Sequence, residues 1–521
     1  MLPQAEPRAG RDRAIIRPAR PPSSGGRPAT LPGAAASALL DPMLRLHPAA
    51  LAACVSLSAS AFALAQAPNV AVLGTYNPGE YTNDIWGYVD PATGKEYALL
   101  LTRSNALVLD CSNPASPALR GTISRSLSGW SRSTWRDART FRHYMYVVTE
   151  GGGGMQIVDL SNPDSPVFLR THTIPGVSWT NTHNISIDVE AGICYAVGTS
   201  GGMHVMDLNA DPVNPRHLTS YTAEYVHDMQ AQDGFAYLAE YNRRTFRILD
   251  VRNLPAMPLV GSAFLNAAHT SFPTRDGRFV VGTSETFGGG ITVFDATNPA
   301  SPGAIATWRT GGSQTSVHNA FLRDRLVHMS YYSEGYQVLD LSDPTQPVSV
   351  GHHDSNVATG GYDGAWGCYP FQPSGNVYLS DTSNGLLVLR PTAVPTPYGT
   401  ATPGSGGAAP ELHSFGAAFL GNARFGLEVE AAPPLAGALF LVGTAALNLG
   451  YQGLTLLVDT TIGAVAATAT DADGRASTPV PVPNDPNLLG QTIHAQCFVQ
   501  DAGGPLGFTA TAGLAIRPFQ R

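Results

Sequence analysis

The sequence predicts an all-β fold: a seven-bladed β-propeller closed by an N-terminal outer strand and followed by a small C-terminal β-sandwich. Three observations carry this. A ring side chain recurs seven times, at Trp86, Trp135, His183, His227, His269, His318 and Trp366, with spacings of 49, 48, 44, 42, 49 and 48 residues. A short apolar stretch closing in Asp keeps the same period, as ALVLD to Asp110, MQIVD to Asp159, MHVMD to Asp207, FRILD to Asp250, ITVFD to Asp295 and YQVLD to Asp340. Most of these stretches run into a turn with two prolines, such as SNPASP at 112–117, SNPDSP at 161–166 and TNPASP at 297–302. Proline fixes its own φ and donates nothing to a ladder, so each such turn leaves the sheet.

One unit, residues 182–222, shows how a blade is built. Residues 183–188 form the inner strand, a Glu-Ala-Gly turn follows, and 193–198 is the second strand. A Ser-Gly-Gly turn leads to the third strand at 203–208, and 217–221 is the outer one. Strands of this length joined by glycine turns follow the hairpin rules. The Asp that ends each third strand is expected to cap the turn after it by accepting backbone N–H bonds.

The seventh unit ends in LLVLR at Arg390 and has no outer strand of its own, while NVAVLGTY at 69–76 stands alone before the first unit. That segment resembles the outer strands PVFLRTHT at 166–173 and PVSVGHHD at 347–354. Pairing it into the last blade closes the ring and leaves no long open edge.

Residues 1–42 are rich in Pro, Ala and Arg without periodicity and read as a disordered extension or a mis-assigned start. Residues 43–65 have the parts of a secretory signal: Arg45, an apolar run, and small residues at Ala63 and Ala65. The propeller is expected over 66–390, a Pro/Gly linker over 391–412, and the sandwich over 413–521. The mature chain is expected to have no membrane span, and a secreted or cell-surface location follows.

Charged residues make up 13% of the chain, about half the usual ~25%, and the net charge is −8. With a single lysine and no basic cluster in the body of the chain, nucleic acid is not an expected partner. Cys111, Cys194, Cys368 and Cys497 show no CxxC pair or short-loop spacing, so they read as buried free thiols.

NDIWGY at 83–88, STWRDART at 133–140, HNISID at 183–188, VHDMQ at 226–230, HNAF at 318–321 and GAWGCYPFQPSGNVYLSDTSNGLLVL at 364–389 together resemble the LVIVD-repeat proteins. Within these the likeness is to the choice-of-anchor B family of secreted bacterial proteins. The resemblance covers about residues 69 to 390 and implies a seven-bladed propeller, export, and a variable C-terminal region. It implies no established activity.

Two functions from different classes fit these residues. The preferred one is an extracellular binding scaffold whose rigid disc meets a protein or polysaccharide, with Trp86, Trp135, Arg136 and Trp366 as binding residues. The alternative is a metal-dependent extracytoplasmic hydrolase. There His183, His227, His269 and His318 ligate a transition metal such as zinc, and Asp137 or Asp228 acts as base. Trp at the repeat position of three blades favours packing, since Trp fills the same space without ligating or titrating.

Overall fold

A computed structural model describes residues 69–356 and 360–521. The expected leader at 43–65 and the extension at 1–42 lie outside the described residues. Among the described residues the chain forms seven four-stranded antiparallel sheets, then a six-stranded and a three-stranded sheet. The inner strands are Thr82–Val89, Arg136–Phe141, Asn184–Asp188, Asp228–Gln232, Ala268–Pro273, Ala320–Arg323 and Ala365–Tyr369. Each neighbours the next, and the last neighbours the first. This is a β-propeller, and its sheets are numbered here as blades one to seven in that order.

The second strand of blade one, Glu96–Thr102, is buried along its whole length because both its faces are covered. In blade one, Leu99 and Leu101 pack with Met145 and Val147 of blade two, whereas Ala98 and Leu100 pack with Tyr378 and Val388 of blade seven. Alternate residues of one strand thus serve two different cores. The same arrangement recurs between every adjacent pair of blades, so the hydrophobic interior is divided into wedges around the axis.

The Asp ending each third strand behaves as its chemistry requires. Its Oδ1 accepts from the backbone N–H two residues on in all six cases: Ser112, Ser161, Asn209, Arg252, Thr297 and Ser342. This Asx turn directs the chain into the proline turn and back along the blade's outer edge. In blades one to six the outer strand carries one extra residue against the third strand at the same place, a β-bulge that adds twist.

Blade seven is completed from the other end of the chain. Val70–Tyr76 pairs antiparallel with Gly385–Pro391, from Val70 opposite Pro391 to Tyr76 opposite Leu386. It even reproduces the common bulge, with Leu73 as the extra residue. In the seventh unit Arg390 replaces Asp, and its guanidinium bonds to the Ser374 carbonyl, Asn376 and Thr396.

The C-terminal region begins earlier than its composition suggests. Thr396–Tyr398, inside the stretch expected to be a linker, is the edge strand of the six-stranded sheet and pairs with Gly513–Ile516. Pro397 is tolerated because an edge strand can leave one side of its ladder unpaired. The two sheets share one core, in which Leu427 and Val429 of the smaller meet Phe440, Ala495 and Val499 of the larger.

This C-terminal region is docked on the propeller. Ala417, Phe419 and Phe519 join the core formed by Val350, Leu389, Ala393 and Val394. Asp340 of blade six, having spent Oδ1 on its turn, accepts at Oδ2 from Ala417 N at 2.6 Å and from Asn422 Nδ2 at 3.2 Å. His413 lies 3.0 Å from Asp324 Oδ1 and 3.3 Å from Glu411 Oε2, with Arg275 also against its ring. Burial opposes a charge on His413, but the bonds to Asp324 and Glu411 outweigh it and Arg275, and the imidazole is held at about 9. A raised His pKa stabilises fully below the unfolded value near 6.5 and loses that contribution as pH rises through 9. Docking is therefore expected to weaken between pH 6.5 and 9, by no more than about 3 kcal/mol. Limited proteolysis across that window should show increasing release of the C-terminal region, and His413→Gln should flatten the dependence.

The four cysteines Cys111, Cys194, Cys368 and Cys497 are all buried and unpaired, as expected. Burial raises each thiol pKa, which keeps them protonated and unreactive.

Candidate functional site

The inner strands place one residue per blade at the channel mouth. His183, His227 and His318 donate their backbone N–H to Val197, Ala239 and Ser330, at the end of the neighbouring second strand. The same pairing puts Arg136 at this position in blade two, opposite Thr149. In blade one Thr82 repeats the contact that Thr182 makes with the preceding blade, so Asn83 is the equivalent of His183. The mouth residues are therefore Asn83, Arg136, His183, His227, His269, His318 and Trp366.

Trp86 and Trp135 do not belong to this ring. Trp86 lies three residues further into blade one, where its indole packs on Tyr369 and Phe321 and takes Arg139 over its face at 4.0 Å. Trp135 precedes its strand and is 46% exposed. The spacing misled because an indole looks like a repeat residue wherever it falls, and a register shift between Thr82 and Ile85 displaces blade one.

Five of the rings form a continuous arc. Centroids are 4.3 Å apart from His183 to His227, 4.2 Å to His269, 4.4 Å to His318 and 4.7 Å to Trp366. His227 Nδ1 donates to the His269 carbonyl at 3.2 Å, and His318 Nδ1 donates to the Trp366 carbonyl at 2.5 Å. Each of these two imidazoles thus ties its blade to the next and keeps its Nε2 free of the proton. Burial pushes His227 well below the usual His range, and His269 and His318 down to about 3, with neighbouring imidazoles adding to the effect. All three are neutral at physiological pH.

One step inward lie Asp84, Asp137, Asn184, Asp228, Thr270, Asn319 and Gly367. Asp137 Oδ1 accepts from Ala138 N at 2.7 Å and Arg139 Nη1 at 2.5 Å, and Oδ2 accepts from Ile185 N of blade three at 3.0 Å. Asp137 is fully buried and both its oxygens are engaged, so it staples two blades and is not placed to act as a base. Burial raises Asp228, to about 7, and its Oδ1 accepts from Met229 N at 2.7 Å. Asp84 is held well above the usual carboxylate range by burial and by Asp137; its Oδ2 faces Asn319 Nδ2 at 3.5 Å.

Gly367 makes room for Asp84. A Cβ at that position would stand 2.1 Å from Asp84 Oδ1, and the site is buried. Gly367→Ala is expected to destabilise the propeller by about 1–3 kcal/mol, the usual cost of overpacking, as read from the denaturant midpoint.

The rim of the mouth comes from the residues just after the second strands, which the repeat analysis passed over. Glu150 Oε1 meets His183 Nδ1 at 2.6 Å, and Glu285 Oε2 lies 3.4 Å from His269 Nε2. Tyr332 donates its hydroxyl to Glu285 Oε1 at 2.6 Å. Further out, Tyr332 meets Tyr362 edge-on, and Tyr362 stacks on Phe287 at 4.9 Å. Phe287 and Tyr362 are 50% and 43% exposed, respectively. The available signal was an acidic residue at most three positions before a glycine run, in TEGGGG at 149–154 and in SETFGGG at 284–290.

The four histidines expected as one ligand set are not gathered as one. Adjacent rings touch, but the arc carries His183 and His318 away from each other. Among the described residues, the group of three or more donors within 4.8 Å of one another is His227, His269 and Glu285. Arg136, expected to bind a partner, is buried with Nη1 on the Thr102 carbonyl at 3.1 Å. Trp366 is buried at the end of the arc.

Comparison with known proteins gives a repeat. No curated protein matches the chain. Among solved structures, the WD40 repeats of RRP9 align at 10% identity with a TM-score of 0.47, covering 62% of this chain and 99% of that one. The Myceliophteria thermophila Cps50 (Swd1) β-propeller domain aligns at 10% identity with a TM-score of 0.45, covering 61% and 98%. U3-55K aligns at 10% identity with a TM-score of 0.47, covering 62% and 100%. In the described residues no helix is long and apolar enough to cross a membrane. The LVIVD repeat model matches residues 101–124, which hold the third and outer strands of blade one, and 143–173, which hold the second, third and outer strands of blade two, and the chain carries that repeat on a β-propeller framework.

Proposed function

We propose that this chain is a secreted or cell-surface binding scaffold of the choice-of-anchor B kind. In this reading residues 43–65 export it, seven blades form a ring sealed by Val70–Tyr76, and the C-terminal region is a β-sandwich held against blades six and seven. The observation that carries the binding role is the aromatic rim: exposed Phe287 and Tyr362 continue through Tyr332 into the arc of imidazoles at the mouth. Stacked rings offer flat apolar faces, and Glu150 and Glu285 beside them supply acceptors, a combination suited to a sugar chain or an extended peptide. The rim is rigid because the mouth residues are bonded blade to blade, so little ordering cost is left for binding.

Fractionation of cells expressing the full chain should place it outside the cytoplasmic membrane, and removal of residues 43–65 should retain it inside. A panel of immobilised extracellular polysaccharides and peptides should bind the parent and lose at least tenfold in affinity to a Phe287→Ala/Tyr362→Ala variant. Retention of the parent in the cytoplasm would overturn export, and equal binding by the two proteins would overturn the rim as the binding face.

A further inference from the structure

We propose that His227, His269 and Glu285 form a binding site for one divalent transition-metal ion at the channel mouth. This inference goes beyond the scaffold reading and stands without it. Two imidazoles and a carboxylate are the donor set that borderline ions such as Zn2+ and Fe2+ take, with the remaining positions open to solvent or ligand.

The donors are set in the state that ligation needs. His227 commits its Nδ1–H to the His269 carbonyl, so Nε2 carries the lone pair. Glu285 commits Oε1 to the Tyr332 hydroxyl at 2.6 Å, leaving Oε2 turned to His269 Nε2 at 3.4 Å. That separation is long for a hydrogen bond between them, yet it suits two ligands on one ion, since bonds of about 2.0–2.1 Å spread over a tetrahedral angle put donor atoms roughly 3.3 Å apart. The third donor lies within 4.8 Å of both, so closure onto an ion needs only a small side-chain movement. Carbonyl and tyrosine partners on the far side of ligands are the usual supporting shell of metal sites. His269 Nδ1 makes no hydrogen bond by strict geometry, although it leans toward the His318 carbonyl.

The test is cobalt titration of the full chain after chelator treatment. One equivalent of Co2+ should saturate with visible d–d absorption, and Zn2+ should displace it. If Fe2+ added anaerobically competes better than Zn2+, the site takes iron in place of zinc, and the donor assignment stands. Glu285→Gln should weaken cobalt binding at least tenfold, and Tyr332→Phe should weaken it about tenfold while circular dichroism stays unchanged. His183→Ala should leave affinity within about twofold, because His183 is paired with Glu150. The absence of saturable one-to-one binding would overturn the proposal. Binding indifferent to both Glu285→Gln and Tyr332→Phe, or abolished by His183→Ala, would do the same.

Discussion

Deleting residues 69–76 is expected to abolish cooperative folding of the propeller. The strand contributes a ladder of six paired residues to blade seven, and Val70 is buried in the core that also holds Leu389 and Val350. Ladder bonds at about 1 kcal/mol each amount to on the order of 5 kcal/mol, which is comparable with the whole stability of a typical domain. The deletion also bares Gly385–Pro391 as an open apolar edge, a template for association between chains. A thermal melt followed by circular dichroism should lose its sharp transition, and size-exclusion chromatography should show aggregates. A synthetic peptide of residues 69–76, added in excess, should restore part of the transition. A truncated chain that melts like the parent would show that the ring does not depend on its seam.

Asp340→Ala is expected to have the second largest effect and to free the C-terminal region. At Asp159 the carboxylate serves its own turn, and Asp159→Ala costs about 1 kcal/mol. At Asp340 the carboxylate also receives Ala417 N and Asn422 Nδ2, both buried. Removing it strands three donors, at about 1–3 kcal/mol for each buried one, so a loss of about 3–9 kcal/mol is expected. Limited proteolysis should release a fragment beginning near residue 391 from Asp340→Ala and leave Asp159→Ala intact. Asp340→Asn should restore part of the resistance, since its single carbonyl oxygen can still accept from Ser342 N or from Ala417 N.

The blades were legible because their chemistry repeats. The apolar run into Asp, the proline turn after it and the ring position each obey a period near the length of one blade, and the orphan segment at 69–76 announced itself as an outer strand without a sheet. The four histidines are in register for the same reason. What escaped was carried by residues that do not repeat. Asn83 and Arg136 hold the mouth positions of the first two blades but share no chemistry with imidazole, so the nearby indoles of Trp86 and Trp135 took their place. Glu285 lies just past the end of a strand, where hydrophobic alternation has stopped and no periodic signal remains. Thr396–Tyr398 was hidden by Pro397, which is compatible with a strand only at a sheet's edge.

The seam also sets a schedule for folding. Val70 and Pro391 are 321 residues apart in sequence and face each other in the finished sheet. A chain emerging amino end first must carry Val70–Tyr76 unpaired while six blades appear behind it, because its partner strand is the last part of the propeller to be made. Loop closure over such a span grows only slowly with length in free energy, so the delay is one of time more than of stability.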